Sequence, residues 1–189
     1  EDRRAPLAAS LGDFLRVLHR PEVADELGAG LPVDPMRRAL PVRRAAMALE
    51  RLGRVRSRGT FPGDDRVQRL FDASADLGPS RATPVLVHGD LHLRHVLVDD
   101  AGAAAGVIDW GDMCLADASV DLSLAYAAFS GKARDGLLAA YGREVPLEQE
   151  MRARVLAVSL CAALADYADL DGRPGLLAES LAGLTRAIS

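Results

Sequence analysis

Three of the four histidines in the chain, His88, His92 and His95, fall within eight residues, in the stretch Val85-Leu-Val-His-Gly-Asp-Leu-His-Leu-Arg-His-Val-Leu-Val-Asp99. They surround one carboxylate, Asp90, and apolar runs flank them on both sides. Three chemistries compete for such a cluster. The polar side chains could satisfy the backbone of a turn, although three imidazoles and a carboxylate interrupt strands that otherwise want only Val and Leu. They could bind zinc as in a metal-dependent hydrolase, since His88, Asp90 and His92 are suitable ligand types. Those three would share a face only if a strand ran on through Gly89, and downstream the sequence offers Asp109 but no histidine after His95. The third chemistry rests on spacing. His95 follows Asp90 by five residues, and Asp109-Trp-Gly111 begins fourteen residues beyond His95. Phosphoryl transfer needs one carboxylate to accept the proton of an attacking hydroxyl. It also needs a second carboxylate, with one further ligand, to hold Mg²⁺ against nucleotide phosphates.

Two loops must bring these groups together, and the intervening sequence supplies them. Residues 84–87, 96–98 and 106–108 are short β-branched runs, and the Asp99-Asp-Ala-Gly102 tetrad between the last two reads as a hairpin turn. The spacing of Leu7, Leu11, Leu15 and Leu18, with Phe14 beside them, predicts a helix over 7–19 that Pro21 ends. Residues 21–33 read as a loop. Asp34-Pro35 reads as an N-cap and N1 pair opening a helical stretch to about Val55, which Pro41 kinks or divides. A loop over 56–63 and a helix over 64–77, stopped by Gly78-Pro79, follow. Beyond residue 117 the pattern predicts helices at 118–130, 132–141, 147–169 and 174–187, with Gly131, Gly142 and Gly172 as stops. The expected fold class is α+β and mainly α-helical, a single domain over 1–189 with a small β-hairpin assembly at 84–110 carrying the catalytic and metal loops of 85–112.

Composition bounds the rest. The chain has 189 residues, 49% hydrophobic and 26% charged, enough for a core without cross-links and ordinary for a folded domain. The net charge is −4 with arginines scattered along the sequence, so no basic face for nucleic acid is expected. Cys114 and Cys161, both in apolar surroundings, read as buried thiols in a reducing compartment. No apolar run nears the roughly 20 residues that span a bilayer, and no signal peptide is recognisable, so a cytoplasmic protein without membrane partners is expected.

The motifs His88-Gly-Asp-Leu-His92, Val107-Ile-Asp-Trp-Gly111 and Ala116-Asp-Ala-Ser-Val-Asp-Leu122 together resemble the aminoglycoside phosphotransferase family, also called choline-kinase-like, whose members share the protein-kinase fold. The likeness is specific across 85–130. It implies a helical C-terminal lobe and phosphorylation of a small-molecule hydroxyl, with ATP or GTP as donor and Mg²⁺ as cofactor. It implies Asp90 as catalytic base, His95 and Asp109 as metal ligands, Leu97 and Ile108 as the floor beneath the adenine, and His92 near the phosphates. His88 and Asp121 are implied as structural support, Asp121 bracing the catalytic loop from the start of the next helix. Where most of the family has Asn this chain has His95. Macrolide phosphotransferases, a branch of the family, resemble it in carrying His within H-G-D-L-H-x-x-H.

The resemblance also implies an N-terminal lobe with a Gly-rich loop and a phosphate-holding Lys. The sequence begins Glu1-Asp2-Arg3-Arg4 without Met, and its one lysine, Lys132, lacks a P-loop context. The expectation is therefore a fragment without that lobe, inactive alone, with the missing lobe as a partner. Alternatives are a catalytically inactive pseudokinase or binding module, or the metal-dependent hydrolase. Two acceptor sites suggest themselves. Asp166, Asp169 and Asp171 could meet a polycationic aminoglycoside, or an apolar groove between 147–169 and 174–187 could meet a macrolide.

Overall fold

The computed structural model describes residues 4–189, and residues 1–3 of the expected domain lie outside the described residues. Helix α1 (Ala5–Leu18) forms because Leu7, Leu11, Leu15 and Leu18 make one apolar stripe, and all four are buried. That stripe packs on α6 (Gly131–Tyr141). The contact is backbone-close at Gly12, where a Cβ would lie 2.3 Å from the Leu137 carbonyl oxygen. The longest helix, α7 (Leu147–Leu170), is the hub. It packs against α3 (Pro41–Ser57), α5 (Ser119–Ala128) and α8 (Pro174–Ala187). Its buried alanines, Ala153, Ala157, Ala162, Ala165 and Ala168, keep that face narrow. Helix α5 is buried almost throughout, from Ser119 to Ala128, and so carries its one acidic residue, Asp121, into the core.

The strands form two antiparallel pairs. β1 (Val85–Val87) pairs with β4 (Cys114–Ala116), and β2 (Val96–Val98) pairs with β3 (Ala104–Val107) around the Asp99–Gly102 turn. Helices hold more than half of the described residues, in agreement with the mainly helical α+β class. Cys114 and Cys161 are free and buried, and burial pushes their thiols up to about 11 and about 12.

The structure corrects several boundaries. Residues expected as loop form α2 (Pro21–Leu27), with Pro21 at N1 rather than acting as a stop. Pro lacks only a donor that the first turn leaves free anyway. Asp34-Pro35 opens no helix. Asp34 and Arg37 take φ of 35° and 50°, and the Asp34 carboxylate accepts from the Arg38 and Ala39 amides, closing a turn. Helix α3 begins afterwards, with Pro41 as its first residue. The helix expected over 64–77 is α4 (Asp65–Ala73), capped by Asp64 and ended in a turn at Ser74. Strand β4 lies beyond the expected strand region, and Gly131 opens α6 rather than closing α5. No helix among the described residues is long and apolar enough to cross a membrane.

Candidate active site

The loop after β1 is held from below by one carboxylate. Asp121 Oδ2 accepts from the His88 amide at 2.8 Å, and Oδ1 accepts from the Gly89 amide at 3.1 Å. Asp121 is fully buried, and its Oδ2 also lies 3.3 Å from His19 Nε2, while His19 Nδ1 lies 3.1 Å from the Tyr141 hydroxyl. Two backbone donors and an imidazole supply what a buried carboxylate requires. His19, the fourth histidine, was not singled out in the sequence. Its only local signal is its place at the end of the α1 stripe. Gly89 is obligatory at the turn: its φ is +88°, and a Cβ there would lie 2.2 Å from the Asp112 carbonyl oxygen.

His88 splices this loop to the next. It is fully buried, its Nδ1 lies 3.3 Å from the Asp90 amide, and its Nε2 lies 2.9 Å from the Ile108 carbonyl oxygen. Accepting at Nδ1 and donating at Nε2 fits one neutral tautomer. The Trp110 ring packs on it at 4.7 Å. The second loop starts at Asp109, which has φ +68°, a left-handed conformation that costs a residue with a side chain about 1–3 kcal/mol and is held by its surroundings.

Above this framework, Asp90 stands beside His92 and His95, and His95 in turn faces Asp109. The Asp90 carboxylate is partly exposed, with Oδ2 3.8 Å from His92 Nε2 and Oδ1 3.8 Å from Arg38 Nη2. His95 Nδ1 lies 2.9 Å from the Asp90 carbonyl oxygen, and its Nε2 lies 3.3 Å from Asp109 Oδ2. The His92 ring stacks on His95 at 3.9 Å, and its Nδ1 is buried without a hydrogen-bond partner among the described residues. Burial, followed by the neighbouring His95 and against the pull of Asp90, brings the His92 imidazole down to about 4, so it is neutral at pH 7. Leu97 on β2 lies opposite Gly106, and Ile108 donates its amide to the His95 carbonyl oxygen; both side chains are half exposed.

The donor set fits a divalent cation. With Nδ1–H given to the Asp90 carbonyl, His95 Nε2 faces the Asp109 carboxylate, and either a cation or a proton between them would bond to both. Asp90, His92 and His95 also each offer a ligand atom, all within 4.8 Å of one another.

Neither of the two expected acceptor sites is open for its molecule. Asp166 and Asp169 are not free for a polycation: Arg54 and Arg58 bind Asp166, and Arg58 and Thr60 bind Asp169, tying α3 to α7. Asp171 is paired with Arg173 and Tyr167. Between α7 and α8 lies an apolar cavity of about 40 Å³, too small for a macrolide, walled by Leu160, Leu164 and Leu176 and by Leu91 and Leu93 of the loop after β1.

The sequence matches the model of the Phosphotransferase enzyme family over residues 1–154. Among solved structures it is similar to the macrolide 2'-phosphotransferase type I, at 26% identity and TM-score 0.50 over 96% of this chain and 59% of that one. It is similar to the macrolide 2'-phosphotransferase MphH from Brachybacterium faecium, at 26% identity and TM-score 0.51, over 95% of this chain and 59% of that one. A GDP complex of aminoglycoside 2'-phosphotransferase-IIIa matches at 20% identity and TM-score 0.57, over 100% of this chain and 63% of that one, which shows the fold alone. The protein YcbJ of Bacillus subtilis is 39% identical over 56 residues, 30% of this chain and 18% of that one. The chain thus spans about 60% of the length of these solved proteins.

Proposed function

The chain belongs to the phosphotransferase enzyme family, and on that premise we propose that it carries the catalytic centre of an ATP-dependent kinase for a hydroxyl of a small molecule. One observation supports this reading most: two carboxylates, Asp90 and Asp109, stand on separate loops that His88 and His95 lock together, over a backbone gripped by Asp121. In this reading Asp90 accepts the proton of the attacking hydroxyl. Asp109 and His95 hold Mg²⁺, and His92 faces the phosphates. Leu97 and Ile108 lie beneath the adenine. His88 and Asp121 support the loop. Bound Mg²⁺ would neutralise charge on the nucleotide phosphates. The protein's share is position: the reacting groups are fixed before substrate arrives, which is where most of the rate in phosphoryl transfer originates.

For the acceptor, the aspartates of α7 are already paired with Arg54, Arg58 and Arg173, which disfavours that patch as the seat of a polycationic aminoglycoside and leaves a macrolide as the acceptor class to test first. The test is transfer of labelled γ-phosphoryl from ATP, and from GTP, to both classes by the full-length protein with and without Mg²⁺. Transfer to neither class ends the antibiotic reading, and absence of transfer to any alcohol ends the kinase reading. The Asp90, His92 and His95 trio favours a second reading, a zinc-dependent hydrolase. Tight zinc binding with hydrolytic and no kinase activity would establish it in place of the first.

A further inference from the structure

The segment between α2 and α3 is built with more constraint than a connection needs. Asp34 and Arg37, neither of them glycine, take φ of 35° and 50°. Backbone of that kind is strained in a residue with a side chain and persists only where the surroundings overdetermine it. They do so here. The Asp34 amide donates to the Leu115 carbonyl oxygen at 2.9 Å, and the Leu115 amide donates to Pro32 at 3.0 Å. The Asp34 carboxylate accepts from the Arg38 amide at 2.6 Å and the Ala39 amide at 3.0 Å. Two further buried arginines hold the carbonyl groups, Arg44 those of Met36 and Arg37, and Arg152 that of Ala39.

These contacts fix the backbone that presents the Arg38 side chain. It is buried, although a guanidinium pays heavily for leaving water unless anions meet it. Its Nη2 lies 2.5 Å from Asp112 Oδ2 and 3.8 Å from Asp90 Oδ1. Among the described residues no other arginine and no lysine comes within 4.0 Å of the Asp90 carboxylate. The other oxygen of Asp90 faces His92, so the carboxylate is flanked on both sides.

Resting on the reading of Asp90 as the base, we propose that Arg38 is its positioning residue: anchored on Asp112, its fixed charge holds Oδ1 and so aims the carboxylate at the acceptor hydroxyl. Arg38 does not itself exchange a proton. A rival role is structural, in which Arg38 only ties the turn at Asp112 to the segment before α3.

The experiment compares Arg38→Met, Arg38→Lys and Asp112→Asn in the full-length protein, recording kcat, the KM of acceptor and ATP, and the melting temperature. Arg38→Met should lower kcat by about 10- to 100-fold, up to the loss that a misplacement of about 1 Å in a reacting group can cause, with both KM values little changed. Arg38→Lys, which keeps a charge, should recover part of that loss. Asp112→Asn should lose far less than Arg38→Met, because the asparagine carbonyl oxygen still accepts from the guanidinium and keeps its charge beside Asp90. The proposal is overturned if Arg38→Met keeps wild-type kcat, if its loss lies in KM alone, or if Asp112→Asn is equally damaging. Should Arg38→Met not fold, a folded Arg38→Lys without any recovered kcat overturns it as well. A wild type without phosphoryl transfer would fail the base reading itself, whereas an active wild type with an indifferent Arg38 fails this inference alone.

Discussion

The Asp90 carboxylate does little for the fold: it is partly exposed, its ion-pair partners Arg38 and His92 stand 3.8 Å away, and the closer contacts of this residue are made by its backbone, so removing the side chain should read out in chemistry rather than in stability. Asp90→Ala is expected to lower kcat by roughly 10²- to 10⁴-fold, the range for losing a general base, while substrate binding and melting temperature stay near wild type. An equal loss in binding would point to a role in holding substrate. His95 offers a sharper test, because its two nitrogens have different duties. Nδ1 donates to the Asp90 carbonyl and Nε2 faces Asp109. An asparagine carries both an N–H donor and a carbonyl oxygen, and oxygen is the ligand Mg²⁺ prefers. His95→Asn should therefore keep or raise turnover and lower the Mg²⁺ concentration needed, whereas His95→Leu should abolish turnover. Equal activity in wild type and both variants would remove His95 from the metal site.

Among the elements, the entry to α5 is one place where acid should act. Asp117 is buried just before that helix and accepts from Ser80, from the Ser119 amide and from Gln149. Burial alone would raise its carboxyl, but the hydrogen bonds from Ser80, Ser119 and Gln149 outweigh burial and hold it below 3.8. The folded state thus binds this proton more weakly than the unfolded chain. The resulting stabilisation is complete above pH 3.8 and is lost as pH falls through the lower native value. Asp117→Asn should cost about 1–3 kcal/mol in urea unfolding at pH 7, and the gap to wild type should close in acid. A gap unchanged between pH 7 and pH 3 would assign the loss to packing. The same scale separates what the sequence discloses from what it hides. Helices α1, α6, α7 and α8 were legible because each buries one face of a helical pattern, and α5 because its run is apolar almost throughout. Helix α2 buries none of its seven residues, so it shows no stripe, and β4 is defined by partners distant in sequence, β1 on one edge and residues 32–34 on the other. In the site, Asp90, His95, Asp109 and Asp121 could be picked out because they lie at motif spacing. His19 and Arg38 could not, since each meets its partner across more than seventy residues of chain.

For the molecule as a whole, the decisive question is how a nucleotide would be gripped. The groups proposed to meet it are all on one side: the Asp109 and His95 pair, and the half-exposed Leu97 and Ile108. In a kinase of this fold the phosphates are further held by a Gly-rich backbone and a lysine. These 189 residues contain one lysine, Lys132, at the start of α6 and away from β2 and β3 in the sequence. Phosphoryl transfer depends almost entirely on positioning and on charge stabilisation, so a nucleotide held from one side should react poorly. The 189-residue chain should therefore fold cooperatively, since its apolar core runs continuously from α1 through α7 to α8, yet bind ATP–Mg²⁺ weakly and turn over no acceptor. A longer form that adds an upstream lobe of about 100 residues, a common domain size, should bind the nucleotide tightly and phosphorylate the acceptor. Calorimetric titration of ATP and turnover with a macrolide, run on both lengths, decide the matter. Robust turnover by the short chain would mean that the nucleotide is clamped elsewhere, by groups within these 189 residues.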